Sequence, residues 1–258
     1  MSSHRRPIPV PILTYHQITP EPHPAFAKYA ITPTQLETQL QWLSDNGYVS
    51  VHLEHIFGDA PLELPDKPIV LTFDDGFADC VEFGVPLLQR HSFTATFFLV
   101  SGLLGQTSRW LVAERGLEYR LMDRSAARAL LDWGFECGAH GMNHLRLATL
   151  SAAERLHELR DARTVLEDTL GCEICHVAYP FGSFNAAVRN LAESCGYRSA
   201  VTVQHGIALT ADDPFTLKRI HVIATESPLA FTRALTDGSD QRSRNVATHT
   251  GSTPISGR

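Results

Sequence analysis

The chain has 258 residues, a formal charge of −6 and a hydrophobic share of 43%. That bounds it to one large α/β core or two small ones. The acidic balance, with a pI near 6.1, argues against a nucleic-acid partner.

The N-terminus, Met1 to Pro7, is basic, but the apolar run that follows, Ile8 to Leu13, is broken by Pro9 and Pro11. It is too short for a signal peptide, and no stretch reaches membrane-spanning length. A cytoplasmic protein is the expectation, although a chain already trimmed of a leader would look the same. Val10 to Tyr15 reads as a first strand and Thr19 to Tyr29 as a loop. Thr32 caps a helix, Pro33 fits its first turn, and Leu36, Leu40 and Leu43 form its apolar stripe until Gly47. Val49 to Val51 is a short strand, and His55 to Asp66 a connection.

Pro68-Ile69-Val70-Leu71 is a buried strand running into Thr72-Phe73-Asp74-Asp75-Gly76. A helix is expected over Val81 to His91 and a strand over Thr94 to Val100. A loop with Gly102, Gly105 and Trp110 comes next. Asp123 to Trp133 is a helix with an Asp cap, and Phe135 to Ala139 a strand delivering His140. Ser151 to Leu170 is the clearest helix: Ser151 and Glu154 form a capping box, and Leu156, Leu159, Leu166 and Leu170 its buried face. His176 to Tyr179 is a strand, Asn185 to Cys195 a helix, Ser199 to Val203 and Leu217 to Val222 the last strands, and Pro228 to Leu235 the final helix. From Asp237 the chain is polar and aperiodic, read as a disordered tail. Cys80, Cys137 and Cys195 read as ordinary buried thiols. Cys172 and Cys175 form a lone CxxC that fits neither a structural zinc site nor a redox motif.

Strands alternate with helices throughout, which implies a parallel sheet. About seven β/α units imply an α/β fold of one distorted (β/α)7-type barrel, spanning 10–236 after a short extension, 1–9. Tyr15-His16, Asp74-Asp75, His140 and Pro180-Phe181 each follow a predicted strand, so all should meet on one barrel face. Adjacent carboxylates repel and need a cation or a shared proton. His140-Gly141-Met142-Asn143-His144 offers two imidazoles, and a carboxylate with two imidazoles makes a zinc triad with open positions. The bland alternatives are an exposed Asp-Gly turn and structurally satisfied histidines.

This set resembles the polysaccharide deacetylase family, the NodB-homology domain of carbohydrate esterase family 4. TFDDG stands intact at Thr72 to Gly76. The H-[ST]-x-x-H motif is His140 to His144, with Gly141 at the usual Ser/Thr position. The third motif is Ala178-Tyr179-Pro180-Phe181-Gly182. The resemblance covers roughly Val10 to Val222. It implies that Asp75, His140 and His144 hold one divalent metal, usually zinc, whose bound water is the nucleophile. It makes Asp74 the general base and the Phe181 backbone N–H an oxyanion donor.

The family's acid is often a His in a C-terminal Leu-x-x-His. Here Leu217 to His221 has the wrong spacing, whereas Leu13-Thr14-Tyr15-His16 has the right one. That resembles the circularly permuted poly-N-acetylglucosamine deacetylase-like branch, so His16 is the expected acid and His221 the alternative. The family Arg that orients the base is replaced by Ala178, and Arg219 is one basic group available in its place. Tyr179, Pro180 and Trp110 are candidate sugar contacts, though aromatic residues there serve packing equally well. The implied activity is removal of N-acetyl groups from an acetamido sugar or an N-acetylglucosamine-containing polysaccharide. An O-deacetylase, another C–N amide hydrolase and an inactive glycan-binding module are the alternatives. The expected partner is an acetylated glycan or sugar conjugate.

Overall fold

The computed structural model describes residues 7–58, 63–224 and 227–237. Seven parallel strands close into a barrel: Ile12–Tyr15, Pro68–Phe73, Thr96–Leu99, Glu136–Ala139, His176–Ala178, Ser199–His205 and Leu217–His221. Each pairs with its neighbour in sequence. The first strand closes the ring, pairing Ile12 with Val70 on one side and Leu13 with Ile220 on the other. A short eighth strand, Val49–Ser50, extends the sheet beside Pro68 and Ile69. Parallel strands covered on both faces must be apolar throughout, and Pro68–Phe73 is buried at every position.

The pleat sorts the core into two bodies. Leu13, Leu71, Phe97, Cys137, Val177 and Ile220 point outward into the layer beneath the helices. Ile12, Val70, Phe98, Ala178, Val201 and Leu217 point inward and fill the lumen. Phe98 crosses that lumen because Gly138 faces it. A Cβ at position 138 would meet the Phe98 ring carbons at 2.6 Å.

The local signals for helices hold where they were strongest. Thr32 caps Pro33–Asp45 with a reciprocal Gln35 contact, and Leu36, Leu40 and Leu43 are buried; such a cap is worth about 1 kcal/mol. Ser151 and Glu154 likewise form a capping box. The helix they open is not continuous. Ala152–Leu156 passes through a π turn, His157–Asp161, into Ala162–Leu170. The π turn moves the buried line: Leu156 is only half-buried, and Glu158 is completely buried. The expected helix over Val81 to His91 also begins as a π turn, Cys80–Gly84, before Val85–Arg90.

Two expectations need correction. Trp110 lies on a helix, Arg109–Arg115, not in a loop. That helix buries only Leu111 and stops at Gly116, too little to create a periodic signal. The connection after Val51 contains a short helix, Leu53–Phe57. Pro9–Val10 of the N-terminal segment pairs antiparallel with Ala208–Leu209. The expected tail lies outside the described residues except Asp237, which ends the helix Pro228–Asp237. All five cysteines are free thiols. No helix among the described residues is long and apolar enough to cross a membrane.

Candidate active site

The carboxyl ends of the barrel strands open into one cavity of about 450 Å³. His16, Asp74, Asp75, Trp110, His140, His144, Tyr179, Phe181 and His221 all line it. The placement follows from the barrel itself, whose parallel strands deliver their ends to the same face.

Asp75, His140 and His144 converge there. Their ligand atoms lie within 4.8 Å of one another, and all three side chains are buried. Asp75 Oδ1 is 3.3 Å from His140 Nε2 and 3.1 Å from His144 Nε2. His140 Nδ1–H donates to the Ala178 carbonyl at 2.8 Å. That bond fixes the tautomer and leaves Nε2 as a lone pair facing the cluster. The His144 ring is held by aromatic contacts instead: Trp110 stacks on it at 4.2 Å and Phe181 meets it T-shaped at 4.4 Å. One carboxylate oxygen and two imidazole nitrogens, buried and aimed at one point, fit a divalent zinc-type ion.

Asp74 points to a different partner. Arg219, from the last barrel strand, donates Nη1–H to Oδ1 at 2.8 Å and Nη2–H to Oδ2 at 2.7 Å. The guanidinium also donates Nη1–H to Thr72 Oγ1 at 3.0 Å and Nε–H to the Thr202 carbonyl at 2.9 Å. It is 0% exposed. Burial pushes the Asp74 carboxyl up, but the Arg219 charge and hydrogen bonds outweigh it and hold the carboxyl below its ordinary range. Asp74 is therefore an ionised, rigidly oriented carboxylate. Arg219 is the basic group that pairs with Asp74.

The histidine loop has its own anchor, which sequence reasoning missed. Glu158 accepts from the Met142 and Asn143 backbone N–H groups at 3.0 Å each, and from Asn143 Nδ2 at 2.8 Å. Gly141 sits at φ +74°, and a Cβ there would approach Glu158 Oε2 to 2.8 Å. The missing Ser or Thr at this position thus has a cause: a side chain would displace the carboxylate that holds the loop. The available signal was Glu158 itself, a carboxylate in line with Ala162, Leu166 and Thr169 on a buried helical stripe.

Both candidate acids reach the cavity. His16 is half-buried, with its ring 5.1 Å from that of Tyr29. Burial lowers its pKa, while the negative charges of Asp75 and Asp74 oppose that shift. His221 has Nε2 3.2 Å from the Val203 carbonyl. Burial, then the Arg219 charge, push its pKa down to about 4.

Of the candidate sugar contacts, Trp110 is half-buried on the cavity wall. Tyr179 also lines the cavity, but it is fully buried and its hydroxyl donates to the Phe215 carbonyl at 3.1 Å. Pro180 is buried, which leaves it no face for a sugar. Backbone strain is concentrated here. Among the described residues, four non-glycines have positive φ, and three are Asp75 (74°), His144 (59°) and Phe181 (58°). Each such residue costs of order 1–3 kcal/mol and persists where surrounding structure enforces it, commonly at functional sites.

The family model for polysaccharide deacetylase matches residues 62–200. YxkH of Bacillus subtilis (strain 168), which carries a polysaccharide deacetylase name, is 24% identical over 88% of this chain and 76% of its own. The poly-beta-1,6-N-acetyl-D-glucosamine N-deacetylase of Staphylococcus aureus (strain MRSA252) is 20% identical over 74% of this chain and 67% of its own. The solved Streptococcus pyogenes deacetylase PplD, in complex with acetate, superposes with a TM-score of 0.77 at 25% identity, covering 89% of this chain and 99% of that one.

Proposed function

The chain belongs to the polysaccharide deacetylase family, and from that membership we propose that it hydrolyses the N-acetyl group of an acetamido sugar, free or within an N-acetylglucosamine-containing polysaccharide. The observation that carries the reading is the split between the two adjacent carboxylates. Asp74 is locked on Arg219, while Asp75 faces His140 and His144. One is thereby kept as a base and the other as a ligand.

Asp75, His140 and His144 would hold the divalent ion, with zinc the best match to this donor set. Such an ion supplies Lewis acidity to the acetyl carbonyl and to the attacking water. Asp74 takes the proton of that water, its orientation fixed by the two-pronged Arg219 contact. His16 gives a proton to the departing amine. The Phe181 backbone N–H stabilises the developing oxyanion, and the exposed part of Trp110 packs on the sugar; Tyr179, buried and bonded to the Phe215 carbonyl, shapes the wall from behind. Support comes from the named activity of the Staphylococcus aureus relative, an N-deacetylase of a poly-N-acetylglucosamine. The acetate bound by the Streptococcus pyogenes deacetylase is the product of such a reaction.

The test uses purified chain with zinc and N-acetylglucosamine oligomers of β-1,4 and β-1,6 linkage. Acetate and free amine should appear in equal amounts and stop on chelation. Acetate release from O-acetylated sugars alone, with no amine, would overturn N-deacetylation while keeping the hydrolase. Turnover that survives complete metal removal would overturn the metal assignment.

A further inference from the structure

The mouth of the cavity is cationic in a chain that carries −6 overall. Lys28, Arg115 and Arg146 line it, and apart from Asp74, paired with Arg219, and Asp75, facing the two imidazoles, the carboxylate among its described lining is Glu114. The three cations come from three different parts of the fold. Lys28 follows the first barrel strand, Arg115 ends the helix Arg109–Arg115, and Arg146 comes two residues after His144. Nothing in their local sequence requires them to meet.

Aromatic rings hold them in place. The Arg115 guanidinium lies 5.4 Å from the centre of the Tyr29 ring and 6.0 Å from that of Phe26, and its Nη1–H donates to the Ala25 carbonyl at 2.9 Å. Lys28 Nζ is 5.2 Å from the same Tyr29 ring. The Arg146 guanidinium stacks 3.8 Å over Phe181, and its Nη2–H donates to Glu114 Oε1 at 2.9 Å. These rings also touch the catalytic groups: Tyr29 meets His16 at 5.1 Å and Phe181 meets His144 at 4.4 Å. Each cation therefore stands one ring's width from a site imidazole.

A guanidinium has five N–H donors in a planar fork suited to oxyanions. Arg115 and Arg146 each give one to a protein oxygen, and ring contacts hold both guanidinium groups beside the cavity. One carboxylate among three cations leaves two net positive charges at the entrance. A neutral sugar polymer offers these donors hydroxyl and carbonyl oxygens but no counter-charge.

We propose that this mouth is an anion subsite, and that the preferred substrate, resting on the deacetylase reading above, is an acetamido sugar whose own ring or immediate neighbour carries a phosphate ester or a carboxylate. The subsite recognises the shared oxyanion through Arg115, Arg146 and Lys28. Glu114 orients Arg146 and tempers the charge.

The experiment compares kcat/KM of the zinc-loaded enzyme on three soluble substrates. They are an N-acetylglucosamine tetramer, the same tetramer carrying one 6-phosphate, and an oligomer with glucuronate beside N-acetylglucosamine. Each exposed charge pair contributes up to about fivefold, so an anionic substrate meeting two or three cations should lead by about tenfold at low salt. The lead should shrink as salt screens it. It should fall close to one in the Arg115→Gln/Arg146→Gln double variant, survive in Arg146→Lys, and grow in Glu114→Gln. A lead for the phosphorylated sugar alone assigns the phosphate ester, and a lead for glucuronate alone assigns the carboxylate; both support the subsite. Equal rates on the three substrates, or a lead that persists in the double variant, overturn it and leave the deacetylase reading standing. No acetate from any of the three overturns both.

Discussion

Arg219 and Asp74 meet across 145 residues of sequence, with both guanidinium Nη atoms on both carboxylate oxygens, at 2.8 and 2.7 Å. The pair is buried. Removing one partner of a buried, hydrogen-bonded ion pair typically costs about 3–5 kcal/mol, because the other charge is left unpaired. Arg219→Met is expected to lose that much stability in urea unfolding, and nearly all turnover. Arg219→Lys keeps the charge but not the fork. It should remain folded, bind zinc and lose at least about tenfold in kcat. Wild-type kcat in Arg219→Lys would show that the charge alone suffices.

The Asp75, His140 and His144 cluster predicts a clean separation between ligand and base. His140→Ala or His144→Ala should abolish stoichiometric zinc in the purified protein. Asp74→Asn should retain zinc yet lose about 10²–10⁴-fold in kcat, the usual contribution of a general base. Metal analysis and turnover on the same preparations decide it. Zinc lost in Asp74→Asn, or retained in both histidine variants, would reverse the two carboxylate roles or remove the site.

Glu158 anchors the histidine loop through three N–H groups without reaching the cluster itself. Charged hydrogen bonds of this kind are worth about 1.5–3 kcal/mol, and groups that orient metal ligands typically set about 10–100-fold of affinity. Glu158→Gln should weaken zinc binding by that factor, read by chelator competition, with KM for the sugar little changed. Unaltered zinc affinity would reduce Glu158 to a purely structural group.

Asp79 gives a pH signature unrelated to catalysis. Burial pushes its carboxyl up to about 6, against the opposing Gln17 hydrogen bond of 2.7 Å. The unfolded chain releases this proton near 3.9, so the folded state keeps it longer. Stability is then highest below the unfolded value and falls as pH rises to about 6, by about 3 kcal/mol at most. Asp79→Asn should remove that slope and be about 1–3 kcal/mol more stable than wild type at pH 8. Urea unfolding at pH 4, 5, 6 and 8 measures it; identical slopes for both proteins would rule the account out.

The parts of the site legible in the sequence were those encoded within a few residues. Asp74 and Asp75 stand side by side, the two histidines are four apart, and each capping box closes within three. Arg219 was harder. Alternation along Leu217–His221 puts Arg219 on the lumen side and exposes Lys218, but only barrel closure brings that strand beside Thr14 and, across the lumen, Asp74. The family model spans residues 62–200, so neither His16 nor Arg219 falls within it. Glu158 was hidden because the π turn shifts the buried stripe away from Leu156. The helix carrying Trp110 buries one leucine, which no periodic reading can detect.

The choice between His16 and His221 can be made by leaving group. An amine departs poorly unless it is protonated, whereas an activated ester needs no such help. His221 sits near Arg219 and is held at about 4, so at neutral pH it has no proton to give. Burial lowers the His16 pKa as well, but the negative charges of Asp75 and Asp74 work against that shift. With Asp74 ionised and His16 protonated in the working state, kcat/KM should be bell-shaped in pH, the basic limb reporting the imidazole. His16→Ala should remove that limb, slow amide cleavage by about 10²-fold or more, and affect an activated ester much less. His221→Ala should leave both reactions near wild type. If His221→Ala instead produces the amide-selective defect while His16→Ala does not, the acid belongs to the last barrel strand and the assignment to His16 is wrong.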